Sequence, residues 1–122
     1  MVMRGIRGAT TVEHNDKEHI RHAAQQLMTQ MMTVNKLSAE QVGAAIFSST
    51  EDLTATFPTT GVRQLPTFKW IPMFDTREPA VEGSLPLCIR LLLLVDVDRS
   101  AREIHHVYMK GAVGLRPDIM RG

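Results

Sequence analysis

The chain is poor in most features that announce a function. Its single cysteine cannot form an internal disulfide, so nothing in the chain points to an oxidising compartment. Neither charge sign is in excess. The 14 Lys and Arg residues nearly cancel the 13 Asp and Glu, which argues against nucleic acid as the main partner, because binding a phosphate backbone requires a one-sided basic surface. Apolar runs reach only five or six residues, far short of a membrane span. The amino-terminal stretch Met1-Val2-Met3-Arg4-Gly5-Ile6-Arg7 lacks the unbroken apolar segment of a signal peptide, so a cytoplasmic protein with no membrane association is expected. There is no GxSxG elbow, no P-loop and no GxGxxG. Serine hydrolysis, nucleotide hydrolysis and dinucleotide binding therefore lack their usual signals.

What is present is ordinary globular material. With 122 residues, 43% apolar and 22% charged, the chain is expected to form one domain over 1–122 that buries about two-thirds of the surface its unfolded form exposes. Residues 2–12 read as a strand ending in β-branched Thr10-Thr11-Val12, and Gly5 and Gly8 beside Arg7 leave room for a close approach to its backbone. A helix is expected over 16–34, capped by Asn15, with Ile20, Ala24, Leu27, Met28, Met31 and Met32 at helical spacing. Val42 to Ser49 reads as a buried strand, and Pro58 as the start of a short helix that Leu65-Pro66 must end. Phe68 to Phe74 reads as an edge strand interrupted by Pro72, Leu87 to Val97 as the long central strand, and Ile104 to Lys110 as the last. The order implies an α/β (α+β) fold: a mixed five-stranded sheet with one long and one short helix packed on one face. So little helix leaves the other face uncovered, and homo-oligomerisation is expected to cover it.

Arg90 stands in the most apolar stretch of the chain, Leu87-Cys88-Ile89-Arg90-Leu91-Leu92-Leu93-Leu94-Val95. Its guanidinium cannot shed its proton, so burial there requires an anion. Alternation places Cys88, Arg90, Leu92 and Leu94 on one face of this strand, and Arg7 with Gly5 and Ala9 on one face of the first. The two arginines form one anion site on neighbouring strands, or each pairs with an internal carboxylate such as Glu78 or Glu13; the residues alone leave both open. Tyr108 offers a neutral donor to the same pocket, or is an amphipathic edge residue. Cys88 has no partner cysteine at metal or redox spacing and reads as core. His19 and His22 lie three apart on a helix and His105 and His106 are adjacent on a strand, but neither pair has a third ligand at a characteristic spacing. No metal and no cofactor are expected.

Several separated segments then agree with one family. Arg4-Gly5-Ile6-Arg7-Gly8-Ala9-Thr10-Thr11-Val12-Glu13, Asp52-Leu53 with Phe57-Pro58, Glu78, Cys88-Ile89-Arg90, and His106-Val107-Tyr108 with Leu115-Arg116-Pro117-Asp118 closely resemble the monofunctional AroH-class chorismate mutases, nearly end to end. The resemblance implies a homotrimer built as a pseudo-α/β barrel with active sites between subunits. It implies conversion of chorismate to prephenate, a Claisen rearrangement in phenylalanine and tyrosine biosynthesis. Catalytic positions would be Arg90 and Arg7, which meet a substrate carboxylate and the ether oxygen, and Glu78, which meets the ring hydroxyl. Tyr108 would meet a carboxylate, and Phe57, Thr59, Thr60 and Arg63 would come from the adjacent subunit. Met73, Phe74, Asp75, Thr76, Arg77, Leu115 and Arg116 complete the implied substrate-binding set. Two positions depart from relatives: threonine stands at 60 where some carry lysine, and aspartate at 75 where others carry cysteine or a small polar residue. A carboxylate at 75 suits a dianionic ligand only if it turns away or presents its backbone. The alternative reading is a non-catalytic trimeric module that binds a small carboxylate.

Overall fold

The computed structural model describes residues 2–115. Seven principal elements follow one another: β1 (Val2–Thr11), α1 (Lys17–Val34), β2 (Val42–Ser49), α2 (Pro58–Arg63), β3 (Met73–Arg77), β4 (Cys88–Val97) and β5 (Val107–Tyr108). The strands form one sheet in the order β3-β2-β4-β1-β5. It is mixed, because β4 runs antiparallel to both β1 and β2 while the outer pairs, β2 with β3 and β1 with β5, are parallel. The expected fold class therefore holds.

Both helices cover the same face. Ile20, Leu27, Met28 and Met31 of α1 and Val62 of α2 bury against Ile6, Phe47, Leu91 and Leu93 of the sheet. Each such side chain contributes about 1.5–3 kcal/mol on leaving water, so this layer is the main source of stability. Gly8 permits it: a side chain there would collide with Met31 and Leu27, so the room at this glycine is taken by α1 rather than a ligand. Gly61 does the same between the helices, since its Cβ would strike the backbone of Arg21.

Four expectations need correction. The cap of α1 is Asp16, whose carboxylate accepts from the His19 backbone N–H at 2.8 Å. Asn15 instead ties the loop to residues 54 and 55, donating to Thr54 Oγ1 at 2.8 Å and accepting from the backbone N–H of Thr54 and Ala55. The edge strand begins only at Met73, because Pro66 opens a 3-10 turn over Pro66–Phe68 and Pro72 precedes the ladder rather than interrupting it. Leu87 lies outside β4 with φ of +50°, and its backbone N–H bonds to Asp52 at 3.0 Å. The last strand shrinks to Val107–Tyr108, so Ile104 packs into the helix-side core while Tyr108 joins a separate cluster with Ala9, Cys88 and Ala112. The segment before β5 is held differently: buried Asn35 at the end of α1 donates to the His105 carbonyl and accepts its N–H, both at 2.8 Å. Those bonds occupy backbone groups that a longer ladder would need.

Candidate active site

Register decides what meets Arg90. Ser48 of β2 lies opposite Arg90, Arg90 opposite Ala9 of β1, and Ala9 beside Tyr108 of β5, so one row of side chains crosses four strands on the face without helices. The next row holds Ile46, Leu92 and Arg7. Together these residues line a cavity of about 260 Å³. Ala9 matters by its size, because a larger side chain between Arg90 and Tyr108 would fill that space.

The protein's own carboxylate for Arg90 is Glu78, with Oε1 3.1 Å from Arg90 Nε. Glu13 is exposed, in the loop before α1. The pair is incomplete as a hydrogen bond. Arg90 Nε is buried, yet among the described residues no acceptor lies in its hydrogen-bonding direction. Glu78 Oε1 receives the Ser48 hydroxyl at 2.7 Å, and the Glu78 backbone N–H reaches the Ser49 carbonyl at 2.9 Å, which fixes the carboxylate at the end of β3. Ser48 was missed in the sequence. Alternation along β2 puts it on the open face with Ile46, but only the register places it against Arg90.

Arg7 is exposed at the cavity edge and, among the described residues, makes no ion pair. Its backbone N–H donates to His106 Nδ1 at 3.0 Å, which ties β1 to the segment before β5. Tyr108 is buried despite its edge strand. Burial pushes the Cys88 thiol above its ordinary pKa, with the Arg90 charge opposing, so this sulfur stays protonated and is a poor nucleophile.

The remaining expected residues divide between the two faces. Phe74 and Thr76 share the rows of Ile46 and Ser48 on the open face, where Phe74 is 72% exposed and the Thr76 hydroxyl donates to the Phe47 carbonyl. Met73, Asp75 and Arg77 alternate to the helix side; Met73 packs on the main core and Arg77 is exposed. Asp75 is committed to α2. Its carboxylate accepts the Thr59 hydroxyl at 2.5 Å and the Thr59 backbone N–H at 3.2 Å, capping a helix whose N-cap residue, Phe57, supplies no side-chain cap. Thr60 donates to the Phe57 carbonyl at 2.7 Å. Phe57 and Arg63 are exposed, and none of Phe57, Thr59, Thr60 and Arg63 lines the cavity at Arg90. Leu115 packs on the Cys88 and Tyr108 cluster, and Arg116 lies outside the described residues.

Two cations and a phenol at a small cavity on the open sheet face, with a fixed carboxylate against one of the cations, are a set of groups chemically suited to a compact polar anion. Comparison with known proteins gives the family. Residues 3–119 match chorismate mutase type I. The chain is 43% identical to a chorismate mutase of Thermus thermophilus over 97% of both proteins, and 40% identical to one of Bacillus subtilis (strain 168) over 98% of this chain and 94% of that protein. A solved chorismate mutase from Clostridium thermocellum superposes with a TM-score of 0.86 at 36% identity, covering 89% of this chain and 96% of that one. The chain belongs to the type I chorismate mutases.

Proposed function

We propose that the chain rearranges chorismate to prephenate in the cavity around Arg90, within a homotrimer where the start of α2 from an adjacent subunit completes each cavity. Membership of the family makes the chain an isomerase of aromatic amino acid biosynthesis. The rearrangement is unimolecular and pericyclic, so it needs a held conformer and a stabilised charge rather than a nucleophile. As the C–O bond breaks ahead of C–C formation, negative charge grows on the ether oxygen. A fixed guanidinium there binds the transition state better than the substrate.

The observation that carries this reading is Arg90 itself: a half-exposed guanidinium beside one carboxylate, with a buried Nε that has no aligned acceptor among the described residues. The substrate's ether oxygen and one carboxylate meet the solvent-facing part of this guanidinium. Arg7 addresses the carboxylate and ether region from the cavity edge, Tyr108 donates to a carboxylate, and Glu78, steadied by Ser48, accepts from the ring hydroxyl. Phe74 and Thr76 stand on the open face in the rows of Ile46 and Ser48 and Leu115 packs on the Tyr108 cluster, whereas Met73 and Arg77 turn to the helix side, and Asp75 contributes through its backbone because its carboxylate is engaged by Thr59.

Two features support the shared site. The open sheet face exposes Phe74 and half-exposes Ile46, Leu92 and Leu94, apolar groups that a neighbouring subunit would cover. Phe57 and Arg63 point outward from α2, where Arg63 supplies the cation that Thr60 does not. Among the described residues no helix is long and apolar enough to cross a membrane, which fits a cytoplasmic enzyme.

Loss of chorismate absorbance on adding purified protein tests the activity, and molar mass by light scattering tests the assembly. Conversion well above the uncatalysed rate by a particle of three chains is expected. A fully active monomer would overturn the shared cavity, and tight binding of a dicarboxylate without conversion would favour the binding module instead.

A further inference from the structure

On the helix side, away from the cavity, the loop between β1 and α1 gathers groups that the rearrangement does not use. One ligand atom each from Glu13, His14 and His19 lies within 4.8 Å of the others. We propose that these three side chains form a site for a borderline divalent transition metal such as zinc, with the remaining coordination open to water. Two imidazoles and a carboxylate are the donor set zinc accepts. The sequence concealed the cluster because the relevant spacing is not a helical one. His14 precedes the helix, His19 lies in its first turn, and the chain bends between them.

Two features prepare the site. The Asp16 carboxylate that caps α1 also reaches the ring of His19, with Oδ2 2.6 Å from Nδ1. That bond calls for the Nδ1–H tautomer and leaves the Nε2 lone pair for the metal, the arrangement in which a carboxylate orients a ligating histidine. The rings of His14 and His19 meet edge to face with centroids 5.1 Å apart, and both side chains are exposed. A tetrahedral zinc holds its ligand atoms roughly 3.3 Å apart, a contraction of about 1.5 Å that exposed rotamers allow. The backbone carrying His14 is anchored by Asn15 through its three bonds to residues 54 and 55.

Local charge is mixed, so the donor set rather than the field carries the site. Glu13 contributes a ligand carboxylate and Asp16 a second negative charge beside His19, while Lys17, Lys110 and the helix N-terminus oppose a cation and Glu18 is paired with Arg21 at 3.3 Å.

Zinc chloride titrated into the full-length chain by calorimetry is the test, with cobalt(II) chloride as a spectroscopic probe of coordination. Saturable uptake of one metal per chain is expected, together with a raised Tm in zinc. His14→Ala and His19→Ala should each abolish both effects, and Asp16→Asn, which keeps a capping side chain, should weaken binding about 10–100-fold. His22→Ala should bind as the unaltered protein does, and chorismate turnover of His14→Ala should be unchanged because His14 does not line the cavity. No saturable uptake at one metal per chain, or uptake that survives the His14→Ala and His19→Ala changes together, overturns the site.

Discussion

The two faces of β4 carry opposite instructions in one strand. Toward the helices it presents Ile89, Leu91, Leu93, Val95 and Val97, all essentially sealed from solvent. Toward the open side it presents Cys88, sealed against Ala9 and Tyr108, and then Arg90, Leu92, Leu94 and Asp96, none of these four fully covered within one chain. The first set is satisfied by apolar neighbours that the chain supplies, and it makes the fold. The second set is left partly unsatisfied, the condition under which a ligand or another subunit would find something to bind. Stability and function are thus separated by a period of two residues.

Substitutions on the two faces should separate the same way. The largest effect is expected at Arg90: Arg90→Ala should lower chorismate turnover by about 10²–10³ or more with little change in Tm, the cost typical of removing a donor at a developing oxyanion. Arg90→Lys should recover little of it, because a point charge cannot address two oxygens in one plane. A variant at Arg90 that loses its fold instead would break the separation. One residue on, Leu91→Ala should cost about 2–5 kcal/mol in urea unfolding, as large-to-small changes in a sealed core do. Leu92→Ala should cost much less in stability and should weaken subunit assembly, read by sedimentation.

Asp75→Ala should cost about 1 kcal/mol, the usual worth of a helix cap. Because that cap holds the start of α2, its KM for chorismate should rise more than its stability loss explains. An unchanged KM would detach α2 from the cavity. The smallest effect concerns pH. Burial raises the Cys88 thiol above its ordinary value of 9.0, so above pH 9 the unfolded chain loses this proton while the folded chain keeps it. Stability contributed by the neutral thiol is therefore present below pH 9 and falls as pH rises from 9 toward the folded value. Unfolding free energies at pH 8 and pH 10 should decline more for the unaltered protein than for Cys88→Ala. Equal declines would mean that the sulfur is not sealed.

Much of this was legible in the residues. Alternation along Leu87–Val97 assigned the two faces of β4 correctly, and the spacing of Ile20, Leu27, Met28 and Met31 gave the buried side of α1. The cations, Glu78 and Tyr108 could be singled out by chemical type and by resemblance to the family. The errors cluster where short segments are governed by contacts with distant residues. Asp16 rather than Asn15 caps α1 because Asn15 is drawn off to residues 54 and 55. The segment before β5 leaves the ladder because Asn35 holds it. Ser48 was overlooked because a serine at the end of a strand has no signature of its own.

The sequence by itself determined which faces are apolar, which residues carry charge, and that Arg90 required an anion, since periodicity and side-chain chemistry are local properties. Only the tertiary structure decided which anion group reaches Arg90, that Ser48 steadies it, that Asp75 turns to Thr59, and that Glu13, His14 and His19 converge. Those outcomes depend on strand register and on loops closed by residues far apart in the chain, and no local pattern encodes either.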